Sequence, residues 1–271
     1  MGIVKKLGYL KKILKNLERI VVAYSGGLDS AFLLKVAIDT LGKDNVLAVT
    51  ARSETYPLSE YKEAMAIAKR LGAKHLTINT RELDIKNFRS NPANRCYYCK
   101  KELFKRLNAI KDRYGMGFVV DGTNLDDLKD IRHGSKAAAE EGVKRPLLKA
   151  EITKEDIRKL SRKLRLPTWD KPSKACLASR FPFNEEITVS GLKKIEDAES
   201  CMQRMGFKQV RVRLHGKTAR IEVPTSYLSL GLKFKDKIVR DLKKLGFIYV
   251  TLDLEGYRTG SMHEAAVLTK V

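Results

Sequence analysis

Proline and cysteine are scarce in this chain, 7 and 4 among 271 residues, and no apolar run approaches the roughly 18 residues that would read as a membrane span. The first absence argues against a proline-rich disordered protein, because 43% of the residues are hydrophobic and 32% charged. The second leaves the bilayer without an anchor. At the start, Lys6 stands where a myristoylation signal wants Ser or Thr, and no apolar segment with a cleavage site follows. A cytoplasmic location is therefore expected. Four cysteines are not expected to form a disulfide framework there, because that compartment keeps thiols reduced, so metal or thiol chemistry is the better expectation. The four histidines, His75, His133, His215 and His263, show no metal-type spacing among themselves. Internal repeats and low-complexity tracts are also missing.

What is present is charge. Lys and Arg outnumber Asp and Glu by 54 to 32, a net +22, which suits an anionic nucleotide substrate and leaves RNA possible as a partner. The lysines are spread over nearly every predicted helix and form no basic stripe with interleaved aromatics, so RNA is not favoured. A solvated, heat-adapted surface is the better account of them.

The length allows one large domain and one small one. Ile3, Leu7, Leu10, Leu14 and Leu17 recur at helical spacing, and residues 19–24 then read as a buried strand. Further strands are predicted at 45–50, 74–79 and 117–121, alternating with helices at 30–41, 58–71, 98–114 and 135–141. That alternation predicts an α/β fold with a doubly wound, mostly parallel sheet, in which ligands bind beyond the carboxyl ends of the strands. Residues 167–184 carry three prolines and the only tryptophan, Trp169, so a domain boundary is placed near residue 170. Residues 1–170 form the first domain. Residues 171–271 form a linker and a smaller mixed α+β domain, with helices at 191–205 and 234–245 and strands at 209–214, 218–223 and 247–252.

The strongest motif is Ser25-Gly26-Gly27-Leu28-Asp29-Ser30, between the first strand and its helix. Glycines let backbone N–H groups approach anionic oxygens, and the helix N-terminus favours negative charge. The pattern has no P-loop lysine. It resembles the PP-loop ATP pyrophosphatases, and the resemblance implies attack of a substrate oxygen on the α-phosphorus of ATP, loss of pyrophosphate, and an adenylated intermediate resolved by a nucleophile. Mg2+ would offset charge on the departing pyrophosphate near Asp29. The resemblance also implies ATP contacts at Ala23, Ser25, Gly26, Gly27, Asp29, Ser30 and Gly122.

Cys96 and Cys99 form a Cys-x-x-Cys pair, and Cys176 is a third candidate. Structural zinc, an iron–sulfur cluster with one open iron, and thiols without metal all remain open from the residues alone. Cys201 falls with Ala198 and Met205 on an apolar helix face and reads as a core thiol.

Together, Asn94-Arg95-Cys96-Tyr97-Tyr98-Cys99-Lys100, Asp121-Gly122-Thr123-Asn124-Leu125-Asp126-Asp127, Asp170-Lys171-Pro172, Cys176-Leu177-Ala178-Ser179-Arg180, Arg211-Val212-Arg213-Leu214-His215-Gly216 and Leu254-Glu255-Gly256-Tyr257-Arg258 resemble the LarE family. That is the pyridinium-3,5-biscarboxylic acid mononucleotide sulfurtransferase of nickel-pincer nucleotide synthesis. The resemblance implies ATP-dependent replacement of a carboxylate oxygen by sulfur. Members with only the cysteine matching Cys176 sacrifice its sulfur. With Cys96 and Cys99 also present, this chain resembles the type in which three cysteines hold a 4Fe-4S cluster, fed by sulfide or another sulfur donor. Arg211 and Arg213 alternate on one strand, leave the same face, and are expected to grip the mononucleotide phosphate. Ser179 and Arg180 are expected to orient the carboxylate being activated. A homo-oligomer is expected. Two rival readings are a PP-loop tRNA thiolase with the same cluster and a non-enzymatic ATP sensor, which would leave the cysteines unexplained.

Overall fold

A computed structural model of the chain describes residues 2–128, 134–172, 175–258 and 260–262. His133, Lys174 and His263 lie outside the described residues. The chain divides into two compact units, one of residues 1–82 and 94–174, the other of residues 83–93 and 175–271.

The first unit opens with α1 (Ile3–Lys15), β1 (Ile20–Ala23), α2 (Leu28–Leu41), β2 (Val46–Arg52), α3 (Leu58–Arg70) and β3 (Lys74–Asn79). The short α4 (Lys86–Arg89) belongs to the second unit. The first then continues with α5 (Arg95–Arg113), β4 (Phe118–Val120), α6 (Gly134–Glu140), α7 (Pro146–Lys149) and α8 (Lys154–Lys163). Its four strands are all parallel, in the order β3-β2-β1-β4. The doubly wound parallel sheet is thus as predicted.

Both faces of the sheet are covered. Ile20 and Val22 join one core with α1, α2 and α8, while Val21 points the other way into a second core with Phe104, Leu107, Val119 and Ala137. A strand buried on both faces is apolar throughout, which is why β1 shows no alternation in its sequence. α2 follows the same logic, with eight of its residues buried. Between residues 141 and 167 no element was predicted, yet α8 stands there. Its start is a reciprocal cap: Thr153 Oγ1 accepts from the Asp156 N–H, and Asp156 Oδ2 accepts from the Thr153 N–H. Lys6 clasps the same carboxylate at 2.8 Å, joining α1 to α8.

The second unit has α9 (Val189–Arg204), β5 (Arg211–His215), β6 (Thr218–Glu222), α10 (Leu228–Lys233), α11 (Lys235–Lys244) and β7 (Tyr249–Leu252). β6 pairs antiparallel with β5 and parallel with β7, giving the mixed sheet that was expected. Residues 83–93 are tied into it through Asn91. That buried side chain donates to the carbonyls of Phe181 and Pro182, and its own carbonyl accepts from the Asn184 N–H. No helix among the described residues is long and apolar enough to cross a membrane.

Candidate functional site

β1 lies between β2 and β4, so the chain winds outward to one side through β2 and β3 and returns on the other side through β4. The carboxyl ends of β1 and β4 therefore flank a topological switch point, where open α/β sheets bind ligands. Ala23 ends β1 and leads into the glycine loop, while Asp121 follows β4. The two segments meet. A side chain at Gly122 would stand 3.1 Å from the Ser30 nitrogen, and Asn124 Nδ2 donates to Asp29 Oδ1 at 3.3 Å.

The loop is held in a shape that only its own residues permit. Gly26 sits at φ +63, and a Cβ there would collide with Ala64 on α3. Ser30 Oγ donates to the Gly27 carbonyl and accepts from the Ser25 N–H at 3.2 Å. The two serine hydroxyls, 3.1 Å apart, thus fasten the loop to itself. Gly27 caps α2 without any side-chain acceptor, so the first-turn amides are not satisfied in the way an Ser or Asp cap would satisfy them. Amides presented in this manner suit phosphate.

Below the loop, Thr50 Oγ1 donates to the Tyr24 carbonyl at 2.9 Å. Its single proton is spent there, so the 2.8 Å contact to His75 must be Nε2–H donating to Thr50. Burial holds His75 below the ordinary imidazole value, which keeps that ring neutral.

Cys96 and Cys99 lie on the first turn of α5, three residues apart and so on one face. The helix begins a turn earlier than predicted and includes both. Lys101 and Tyr97 share Glu140 of α6 at 2.8 and 2.7 Å, while Lys136 stands over the Tyr97 ring and Lys100 over Phe104. Cations around the pair suit thiolates and anionic ligands. Cys96 and Cys99 belong to the first unit and Cys176 to the second. None of the four cysteines is in a disulfide, and among the described residues no group of three or more His, Cys, Asp or Glu is gathered that could hold a metal ion. Cys201 is buried as expected for a core thiol. Desolvation, followed by the Asp241 carboxylate, pushes its pKa up and keeps it protonated.

In the second unit Cys176 is exposed, at the head of a short turn, Leu177–Arg180. Arg180 is 2% exposed and fully engaged. Nε and Nη2 clasp Glu199 at 2.9 and 3.0 Å, and Nη1 donates to the carbonyls of Ala175 and Cys176 at 2.7 and 2.8 Å. Ser179 Oγ also donates to the Cys176 carbonyl. Both residues, expected above to orient a substrate carboxylate, have partners that order the loop around Cys176. Glu199, which sequence reasoning did not single out, completes this arrangement by also accepting from the Val212 N–H.

Arg211 and Arg213 leave the same face of β5, as their alternation required, but the face is covered: they are 5% and 6% exposed. An exposed basic face is thereby ruled out for them. Arg213 donates to Glu222 at 2.7 Å, to Ser261 and to the Ser179 carbonyl, while Arg211 stacks on Tyr257. Arg213 Nε is buried with no hydrogen-bond partner among the described residues. So is His215 Nε2, one further alternation along β5. Burial first, then Arg220 and Arg213, hold His215 below the imidazole value of 6.5. A depressed folded value means the unfolded chain binds the proton that the native chain refuses, so this contribution is intact above about pH 6.5 and is lost as pH falls below it. The melting temperature is expected to drop between about pH 7 and pH 5, and His215→Gln to flatten the drop, as read by calorimetry.

The family model for NAD synthase matches residues 4–118, the span that carries the glycine loop. An uncharacterized protein of Synechocystis is 43% identical over 98% of this chain and 98% of its own length. Over a short stretch, 29% of this chain and 14% of the relative, the glutamine-dependent NAD(+) synthetase of Aquifex aeolicus is 35% identical. The pyridinium-3,5-bisthiocarboxylic acid mononucleotide synthase of Lactiplantibacillus plantarum is 40% identical over 98% of this chain and 95% of its own length. With the loop, the switch-point segment and both units included in that match, the chain belongs to the LarE family within the PP-loop superfamily.

Proposed function

We propose that this chain is an ATP-dependent sulfurtransferase acting on a pyridinium dicarboxylate mononucleotide. A substrate carboxylate oxygen attacks the α-phosphorus of ATP, pyrophosphate leaves, and an acyl adenylate forms. A sulfide then attacks the acyl carbon and AMP departs, leaving a thiocarboxylate. The observation that carries this reading is the full-length similarity to the Lactiplantibacillus plantarum synthase, over a chain whose glycine loop is packed against Gly122 at the switch point.

In this reading Ala23, Ser25, Gly26, Gly27, Ser30 and Gly122 receive the ATP phosphates and adenosine. Asp29, oriented by Asn124, would hold a Mg2+, which would offset charge on the departing pyrophosphate. Arg211 and Arg213 take the mononucleotide phosphate, for which the unpartnered Arg213 Nε is a remaining donor. Ser179 and Arg180 act by holding Cys176 in place. Cys96, Cys99 and Cys176 are the thiols that would hold a 4Fe-4S cluster, and the donor chemistry fits: three thiolates, two of them on one helical turn among cations. Such a cluster, when bound, supplies one iron position that no protein thiolate fills.

Product analysis tests the reaction type. Incubation with ATP, Mg2+, sulfide and the mononucleotide is expected to give AMP and pyrophosphate in equal amounts, and Asp29→Ala to lose pyrophosphate release while melting normally. ADP and phosphate as the only nucleotide products would overturn the assignment.

A further inference from the structure

The glycine loop is gripped from behind. Tyr56 Oη donates to the Ser25 carbonyl at 2.7 Å, and the Lys171 ammonium donates to the Gly26 carbonyl at 3.3 Å. Lys171 belongs to Asp170-Lys171-Pro172, a motif the functional reading has so far left unused. Its side chain is 8% exposed and lies between Glu60 and Glu63 of α3, at 2.9 and 2.8 Å. The same helix supplies Ala64, on which Gly26 packs. The backbone that delivers Lys171 is itself fixed: Arg158 donates to the carbonyls of Trp169 and Lys171 at 2.9 and 3.1 Å, and Arg162 stacks on the Trp169 ring.

Peptide geometry turns these contacts into a statement about the loop's other side. In a planar trans peptide the C=O and the following N–H point in opposite directions. Holding the Ser25 oxygen therefore aims the Gly26 N–H away from Tyr56, and holding the Gly26 oxygen aims the Gly27 N–H away from Lys171. Glycine rotates freely about its backbone and would not keep these planes unaided.

We propose that Lys171 and Tyr56 are positioning residues for ATP binding, which pin the two loop carbonyls so that the Gly26 and Gly27 amides face the phosphates. This rests on the nucleotide reading above. A cation is the suitable donor here for a second reason, because Glu60 and Glu63 close to a phosphate site would otherwise repel the ligand. Tyr56 is kept a donor at all working pH values, since burial, then Glu60 and Glu63, raise its phenol beyond the usual range.

The test is ATP affinity by calorimetry on the full chain, with mononucleotide affinity measured on the same preparations. Lys171→Met paired with Glu60→Gln removes both buried charges together and should spare the fold. Tyr56→Phe removes one hydroxyl and creates no buried charge, so it remains informative if the pair of changes does not fold. Each is expected to weaken ATP binding by about tenfold or more, the scale of a lost hydrogen bond to a charged or phosphate-directing group, with mononucleotide binding unchanged. A weakening of less than about fivefold in Tyr56→Phe overturns the inference, as does equal weakening toward both ligands, which marks a merely structural role. A wild-type chain that binds no ATP overturns the nucleotide reading itself, and is seen before any variant is made.

Discussion

Replacing Arg180 by alanine is expected to cost about 3 to 5 kcal/mol of folding stability, the range for removing one partner of a buried ion pair. Glu199 would be left as a buried carboxylate: its side chain is 9% exposed and that of Arg180 2%. The Ala175 carbonyl would lose its Arg180 donor at the same time, and the Cys176 carbonyl would keep only Ser179. For a chain of this size, each kcal/mol corresponds to roughly 2 to 4 °C, so the melting temperature should fall by about 10 °C. Changing Arg180 and Glu199 together to methionine is expected to recover much of that loss, because well-packed apolar replacements of a buried pair are often neutral. It should not recover sulfur transfer, since the Cys176 carbonyl has lost the Arg180 Nη1 bond and is held by Ser179 alone. If the doubly changed chain transferred sulfur at the native rate, Arg180 would have no part in placing Cys176.

The reading of Arg180 shows where sequence reasoning stopped. Its place next to Ser179 and Cys176 was visible, but its partner lies on α9, nineteen residues away, and only the fold brings Glu199 to it. Arg211 and Arg213 make the same point in a strand. Period-two alternation says that two side chains share a face and does not say whether the face is wet, and here it is covered. By contrast the parallel sheet of the first unit was legible, because strands buried on both sides are continuous apolar runs separated by helix-length segments. The order of the strands was not, and it is the order that creates the switch point and sets Gly122 against the glycine loop. α8 was missed although Thr153 and Asp156 carry a capping signal, since Ile157 and Leu160 are its only hydrophobic residues and all the others but Ser161 are charged. Residues 83–93 gave no local sign of their place, because the carbonyls that hold Asn91 come some ninety residues later.

Cys176→Ala is expected to abolish thiocarboxylate formation while leaving ATP-dependent adenylation, because Cys176 is exposed, ordered by Arg180 and Ser179, and separate from the glycine loop in sequence. The remaining question is how its thiol is used, and the other cysteines decide it. If Cys96, Cys99 and Cys176 ligate a cluster, changing any one to Ala should strip iron and sulfide from an anaerobic preparation, since three thiolates are the fewest that leave a single iron open. Cys201→Ala should leave the metal content unchanged, its thiol being buried and protonated. A cluster-loaded chain supplied with sulfide would turn over repeatedly and keep its mass. A sacrificial Cys176 would instead make one product per chain and become dehydroalanine, lowering the mass by about 34 Da as a thiol loses hydrogen sulfide. Intact-mass measurement after the reaction is expected to show no such loss. Stoichiometric dehydroalanine at position 176, with activity surviving Cys96→Ala and Cys99→Ala, would assign the transferred sulfur to Cys176 itself and leave the pair on α5 with no role in the chemistry.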